Sequence, residues 1–130
     1  MQYWIQRANF EAANVEAGSA DDLIQAFGTH DWSAELRFRS ELEARGDEWC
    51  DPGFGIVMGD GRILHLCPLD DGSLHCHYHH PEAKRVFGLI PASTTKTETW
   101  HEQATASEAL IPMVVDGRHE ELLIRARRGT

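Results

Sequence analysis

Acidic side chains outnumber basic ones in this sequence, and this imbalance limits the kinds of molecule that the protein is expected to bind. The 130 residues include 12 Lys and Arg against 21 Asp and Glu, which gives a net charge of −9. Nucleic-acid phosphates require a basic surface, so direct binding to DNA or RNA is disfavoured. The same charge favours solubility and attraction to basic partners.

Cysteine and long apolar runs are also scarce. The three cysteines, Cys50, Cys67 and Cys76, are odd in number and widely spaced, which argues against a disulfide framework and indicates a reducing compartment. The N-terminal residues lack the basic start and apolar run of a signal peptide. No stretch approaches the roughly 20 apolar residues that a membrane span needs. We therefore expect a cytoplasmic chain without membrane contact.

The residues that are present suit an ordinary folded domain. The hydrophobic fraction is 42%, with four Trp and five Phe as bulky anchors, and the charged fraction is 25%. These values are typical of globular proteins, and the length suits one domain spanning residues 1–130.

The N-terminal third predicts a strand followed by a helix. Residues 2–11 combine spaced apolar and polar side chains and indicate a first strand. Ser19 precedes Asp21 and Asp22, which is the N-cap and acidic first turn of a helix. Gly28 then suits the C-cap.

The segment from Trp32 to Arg39 fits two kinds of structure. Trp32, Leu36 and Phe38 alternate with polar residues at the period of a half-buried strand. Other apolar positions nearby also suit a helix. We favour a strand to about residue 39, followed by a polar loop to Pro52.

The middle of the chain predicts a three-stranded antiparallel meander. The strands are predicted at residues 54–58, 62–67 and 73–79. The two turns between them, at 59–61 and 68–72, contain Gly and Asp, which tolerate the positive φ that tight turns require.

The second half of the chain predicts three more strands and one helix. The helix begins near Thr105 or Ser107 and ends at Gly117, and Pro112 either kinks it or marks its first turn. Pro81 is expected to end the meander because it has no amide donor. The further strands are predicted at 86–90, stopped by Pro91, at 94–101, and at 121–127 on an edge. The fold class is therefore α+β, a single domain with an antiparallel sheet and about two helices packed on it.

The histidines on the central hairpin are candidate metal ligands. Residues that alternate along a strand share one face, and a hairpin centred near residues 70–72 places His65 opposite His77 and Cys67 opposite His75. The candidate ligands are His65, Cys67, His75, His77 and His79. Imidazole and thiolate suit zinc, so the hypothesis is a zinc site. The alternative is a polar sheet face, because a one-residue slip of register exchanges the two faces.

The same register predicts an apolar face on the other side of the hairpin. Its members are Leu64, Leu66, Leu74, Cys76 and Tyr78.

Other catalytic arrangements find little support in the sequence. A Cys–His pair can activate a thiolate, but no nucleophile signature surrounds the cysteines, and Cys76 is expected in the core. Gly53 and Gly55 precede a strand instead of linking a strand to a helix, so they do not form a phosphate-binding loop. The acidic residues form no evident catalytic pair. We therefore expect no catalytic residues and no cofactor, with zinc as the alternative.

The order of these features resembles the first-numbered Imm family of immunity proteins from bacterial polymorphic toxin and contact-dependent inhibition systems. The resemblance spans roughly residues 15–125. The features that carry it are the helix start at 19–23, Trp32, the 52–57 strand with its 59–64 hairpin, the 68–72 turn leading to His77-Tyr78, and the 107–110 helix start closing at 116–117.

This resemblance implies a small, cytoplasmic, non-enzymatic α+β protein that binds and blocks a cognate toxin domain. Toxins of this kind include deaminases and nucleases, whose clefts are basic because they bind nucleic acid. An acidic inhibitor is attracted to such a cleft. The expected partner-binding residues are Asp60, Asp70 and Asp71 on two turns, with Trp49 or Trp100 as an aromatic anchor. Two function classes remain open: this binding module, and a metal-dependent protein that uses the histidine cluster.

Overall fold

A six-stranded antiparallel sheet forms the centre of the protein. A computed structural model describes residues 1–86 and 90–129 of the chain. The strand order in the sheet is β2-β1-β3-β4-β5-β6. The strands are β1 (Gln2–Gln6), β2 (Ala12–Glu16), β3 (Gly53–Val57), β4 (Ile63–Pro68), β5 (Ser73–Val86) and β6 (Ile90–Gln103). The helices are α1 (Ala20–Thr29), α2 (Trp32–Ala44), α3 (Ser107–Val115) and α4 (His119–Arg128).

The predicted meander is confirmed as β3, β4 and β5. Both of its turns place a glycine at positive φ, 92° at Gly61 and 80° at Gly72. Each turn is closed by an aspartate side chain that accepts a backbone N–H two residues later, Asp60 from Arg62 and Asp71 from Ser73. The local turn chemistry therefore fixes the hairpins that the sequence predicted.

Pro81 does not end the meander, contrary to the prediction. β5 continues past Pro81 to Val86 and pairs with β6 along its whole length. The pairing of β4 with β5 stops at His79, so beyond that residue one edge of β5 has no β4 partner. Proline is tolerated at such an edge because no ladder hydrogen bond is lost there.

The strand predicted at 94–101 is confirmed as part of β6. Pro91, which was expected to stop a strand, lies within β6. Of the strand predicted at 86–90, residues 87–89 lie outside the described part of the chain.

The N-terminal strand prediction was wrong in extent, because residues 2–11 contain a turn. β1 and β2 form a hairpin whose loop is closed by a backbone hydrogen bond of 2.7 Å from Arg7 N to Glu11 O. Phe10 adopts a φ of 70°, which is uncommon for a residue with a side chain. No glycine marks this turn, and its local signal is Asn9, whose side chain accepts a hydrogen bond from Glu11 N at 3.2 Å.

Helix α1 begins as predicted but continues through Gly28 to Thr29, so the prediction of Gly28 as its C-cap was wrong. Ser19 accepts a hydrogen bond from Asp22 N at 3.2 Å and caps α1.

Helix α3 lies where a helix was expected. α3 begins at Ser107 and is followed by Gly117 at a φ of 71°. Pro112 lies inside α3 and not in its first turn.

Two segments predicted as strands are helices, so the described chain has four helices instead of about two. In α2, Asp31 caps the helix by accepting from Ala34 N at 3.0 Å, and Glu35 and Leu42 are buried two turns apart. In α4, Leu122 and Ala126 are buried one turn apart. Both helices are selected because a 3.6-residue period puts their buried residues on one face.

The core lies between one face of the sheet and the helices α1, α3 and α4. The strands contribute Phe54, Ile56, Leu64, Leu66, Leu74, Cys76, Tyr78 and Trp100. The helices contribute Leu23, Phe27, Leu110, Ile111, Met113, Val114, Leu122 and Ala126. None of the helices in the described residues has the length and apolar character needed to cross a bilayer.

Candidate functional site

The central strands carry histidines on the face opposite the core. The pairing of His65 with His77 and of Cys67 with His75 is the predicted one. The five residues predicted to form the apolar face are all buried, so the assignment of the two faces is also confirmed. We call the side that bears His65, Cys67, His75, His77, His79 and His101 the histidine face.

Three side chains of the histidine face converge within reach of one metal ion. One ligand atom from each of His65, Cys67 and His77 lies within 4.8 Å of the other two. His65 Nε2 and Cys67 Sγ lie 3.3 Å apart. Zinc bonds of about 2.0–2.3 Å in a tetrahedron separate neighbouring ligand atoms by about 3.5 Å. Separations of up to 4.8 Å must therefore shorten by at most about 1.3 Å to reach the ligand spacing of zinc.

Gly53 provides the space in which two of these ligand atoms lie. A Cβ added at Gly53 would approach His65 Nε2 to 2.3 Å and Cys67 Sγ to 2.9 Å. Gly55 has the same relation to Trp4, whose indole would lie 2.1 Å from an added Cβ. Trp4 in turn borders the His65 ring at a centroid distance of 4.8 Å. The two glycines of β3 thus make room for the side chains of His65, Cys67 and Trp4, which occupy the space beside the strand.

The remaining histidines extend the cluster toward β6. The ring of His75 lies 4.3 Å from that of His77 and 4.4 Å from that of His101. His79 is further away, with its ring 6.4 Å from that of His77 and its Nδ1 bonded to Thr97 Oγ1 at 2.8 Å. His101 is not among the ligands predicted from the sequence, because its position beside His75 depends on the register between β5 and β6.

Burial disfavours the charged form of His65, His75 and His77. It lowers the pKa of His65 to about 4, with repulsion from the neighbouring histidines as the smaller cause. Burial also lowers the pKa of His75 and that of His77. A neutral imidazole keeps a lone pair for a metal at physiological pH.

The thiols of the central strands are poor nucleophiles. Burial is the main cause that raises the pKa of Cys67 and that of Cys76 to about 12. The thiolate is the reactive form of cysteine. This pair of shifts argues against a Cys–His nucleophile on these strands and agrees with the expected place of Cys76 in the core.

A second surface brings together acidic residues and an exposed tryptophan. The guanidinium of Arg39 lies 4.5 Å from the centre of the Trp49 ring. Its Nε lies 3.5 Å from an Asp51 carboxylate oxygen, and its Nη1 lies 3.9 Å from one of Asp70. Arg39 thus joins the loop after α2 to the β4–β5 turn. We call this surface, formed by residues 45–52 and 69–72, the acidic end.

The predicted partner-binding residues fall in three different places. Trp49, Asp70 and Asp71 lie at the acidic end and are exposed. Asp60 lies on the β3–β4 turn, at the other end of β4, and pairs with Arg62 Nε at 2.7 Å. The six residues of β4 separate the two turns by roughly 20 Å.

The prediction that Trp100 could replace Trp49 as the exposed aromatic anchor was wrong. The side chain of Trp100 is 1% exposed within the core, because its position on β6 faces the helices. The indole N–H donates to Glu102 at 2.8 Å. Arg39 is likewise absent from the residues predicted from the sequence, because its contacts come from two loops that are distant in the sequence.

Comparison of the chain with protein-family models, with curated proteins and with solved structures gives no match.

Proposed function

We propose that this chain is an immunity-type protein that binds and neutralises a basic bacterial toxin domain in the cytoplasm. The observation that carries the proposal is the Arg39-mediated joining of Trp49 to Asp51 and Asp70 at the acidic end. The surface combines exposed carboxylates with an aromatic ring, which is the composition expected of an anchor within an acidic rim.

The acidic end carries more negative charge than the single positive charge of Arg39 neutralises. Its exposed carboxylates are those of Asp47, Glu48, Asp51, Asp70 and Asp71, and α2 adds the exposed Glu41 and Glu43. Together with the net charge of −9, this excess would accelerate encounter with a basic cleft. A toxin acting on nucleic acid has such a cleft, and an acidic inhibitor would occupy the path of the phosphates.

Trp49 suits the role of the anchor because its position is already restrained. The ring is 36% exposed, while one of its faces is covered by Arg39. A restrained aromatic side chain loses little conformational entropy when it binds. The proposal requires no catalytic residue in this chain, since blocking the cleft is sufficient.

The first test is co-expression with the protein encoded immediately upstream, followed by pull-down and mass spectrometry, because immunity proteins are encoded beside their toxins. We expect a tight complex with a toxic C-terminal domain and loss of toxicity on co-expression. A neighbouring toxin that neither binds the chain nor is neutralised by it would contradict the proposal.

The second test maps the interface by kinetics on that complex. The Asp70→Lys/Asp71→Lys variant is expected to slow association about 10-fold or more at low salt and to flatten its salt dependence. Trp49→Ala is expected to accelerate dissociation, with a loss of about 2 kcal/mol in binding. Asp60→Lys on the distant turn is the control; it changes the charge by two units, so it is compared with the single reversal Asp70→Lys. Equal effects of the two charge reversals on association would show that the acidic end is not part of the interface.

A further inference from the structure

The histidine face contains a group of ligands that the binding of a toxin does not use. His65 and Cys67 are two residues apart on β4, and His77 is the cross-strand partner of His65 on β5. Their ligand atoms lie within 4.8 Å of one another. Two ligands on one strand and one on its neighbour are held by the register of the sheet, so little conformational entropy opposes their convergence on an ion.

The packing around these residues favours a built site over a chance grouping. Cys67 is 4% exposed. Because Gly53 has no Cβ, His65 Nε2 and Cys67 Sγ occupy the space against β3 that a side chain would take, and an added Cβ would lie 2.3 Å from His65 Nε2. Trp4 lies beside His65, so the site has an apolar wall. A partly dry pocket with a thiol and two imidazoles has the donor set that soft and borderline divalent metals prefer.

We propose that His65, Cys67 and His77 form a zinc site with three protein ligands and an open fourth position. On binding, the S–H bond of Cys67 breaks, a Zn–S bond forms, and the proton passes to solvent. The imidazole nitrogens of His65 and His77 donate lone pairs without losing a proton. Each zinc bound therefore releases one proton. The ion would connect β4 to β5 across the sheet.

His75 is the matched control for the ligand set. It lies on the same strand and the same face as His77, and its ring is 4.3 Å from the His77 ring. It stands outside the group whose ligand atoms converge. A change at His75 therefore tests whether the proposed site, or only a dense histidine surface, binds the metal.

The experiment is titration of the chelator-treated, dialysed full chain with Zn²⁺ against a chromophoric chelator, and with Co²⁺ in a spectrophotometer. We expect one tight Zn²⁺ per chain, one proton released per ion, and a near-ultraviolet thiolate-to-cobalt band with intense visible bands of tetrahedral Co²⁺. Cys67→Ser and His77→Ala should each weaken zinc binding by more than ~100-fold. Removing a residue that only hydrogen-bonds to a metal ligand already costs ~10–100-fold in affinity. His75→Ala should retain the affinity and the spectrum.

Thermal unfolding of the metal-free variants verifies that each is folded, and Gly53→Ala provides a second variant that fills the space beside the ligands without removing one. We expect Gly53→Ala to weaken binding as well. The proposal is overturned if the wild-type chain binds no zinc. It is also overturned if binding survives Cys67→Ser, or if His75→Ala is as damaging as His77→Ala, because the metal would then lie on exposed imidazoles.

Discussion

Arg125 on α4 holds Glu102 on β6 through two hydrogen bonds to one carboxylate oxygen, 2.9 Å from Nε and 2.7 Å from Nη2 to Oε1. The other oxygen of Glu102 accepts the indole N–H of Trp100 at 2.8 Å. Glu102 thus links the last helix to the largest side chain of the core.

Arg125→Ala should lower the free energy of unfolding by about 2 kcal/mol, because the mostly buried Glu102 loses its charged donors. The measurement is chemical denaturation followed by circular dichroism. Arg118→Ala is the control, since Arg118 pairs with Glu121 in an exposed ion pair of the same helix. The denaturant concentration at which half of Arg118→Ala is unfolded should match that of the wild type. Equal midpoints for Arg125→Ala and wild type would contradict the role assigned to Glu102.

Gly55→Ala should destabilise the protein by about 1–3 kcal/mol, because a Cβ there overlaps the Trp4 indole and forces it from the sheet. Gly28→Ala on α1 is the matched control. An added Cβ at Gly28 meets no atom within 4 Å, and we expect a gain of about 0.4–1 kcal/mol. Thermal unfolding of both variants measures the two effects. A neutral Gly55→Ala would mean that Trp4 does not lie across β3.

Cys76 should resist alkylation in the folded protein. Burial raises its pKa to about 12, so at pH 8 roughly one thiol in ten thousand is the reactive thiolate. Cys50 is partly exposed and serves as the internal comparison. Iodoacetamide labelling followed by peptide mass spectrometry should find modified Cys50 first, with Cys76 labelled only in denaturant. Labelling of the two at the same rate in native conditions would contradict the packing of β5.

Glu35 should contribute to the attachment of α2. It is 6% exposed and accepts from Arg7 Nε at 3.2 Å, which ties α2 to the end of β1. We expect Glu35→Ala to cost about 2 kcal/mol in chemical denaturation. Glu41→Ala changes an exposed residue of the same helix and should cost less than ~0.5 kcal/mol. If the two variants unfold at the same denaturant concentration, α2 is held by other contacts.

The difference between α2 and the meander shows where local sequence is sufficient. Each turn of the meander has its own glycine and its own aspartate bond, so its conformation depends on residues at most four positions apart. The alternation from Trp32 to Phe38 fits a strand as well as a helix. The helix is selected by the Asp31 cap and by the burial of Glu35 and Leu42 on one side. That burial depends on distant elements.

The same reasoning separates the two candidate surfaces. The histidine pairing follows from the length of the hairpin turn, so the sequence predicted His65 opposite His77. The sequence did not show which three of the five candidate ligands converge, because their convergence depends on the space beside Gly53. At the acidic end, Asp70 and Trp49 meet through Arg39 on a helix that the sequence presented as a strand.

The sequence by itself determined the α+β class, the central meander, the α1 cap and the two faces of the hairpin, since each follows from short-range periodicity and turn chemistry. Only the tertiary structure decided that α2 and α4 are helices, that β5 continues past Pro81, and that Trp100 is buried. Those outcomes depend mainly on which surfaces the rest of the chain offers for packing; the local Asp31 cap favours helix α2 but does not decide it against the strand-like alternation.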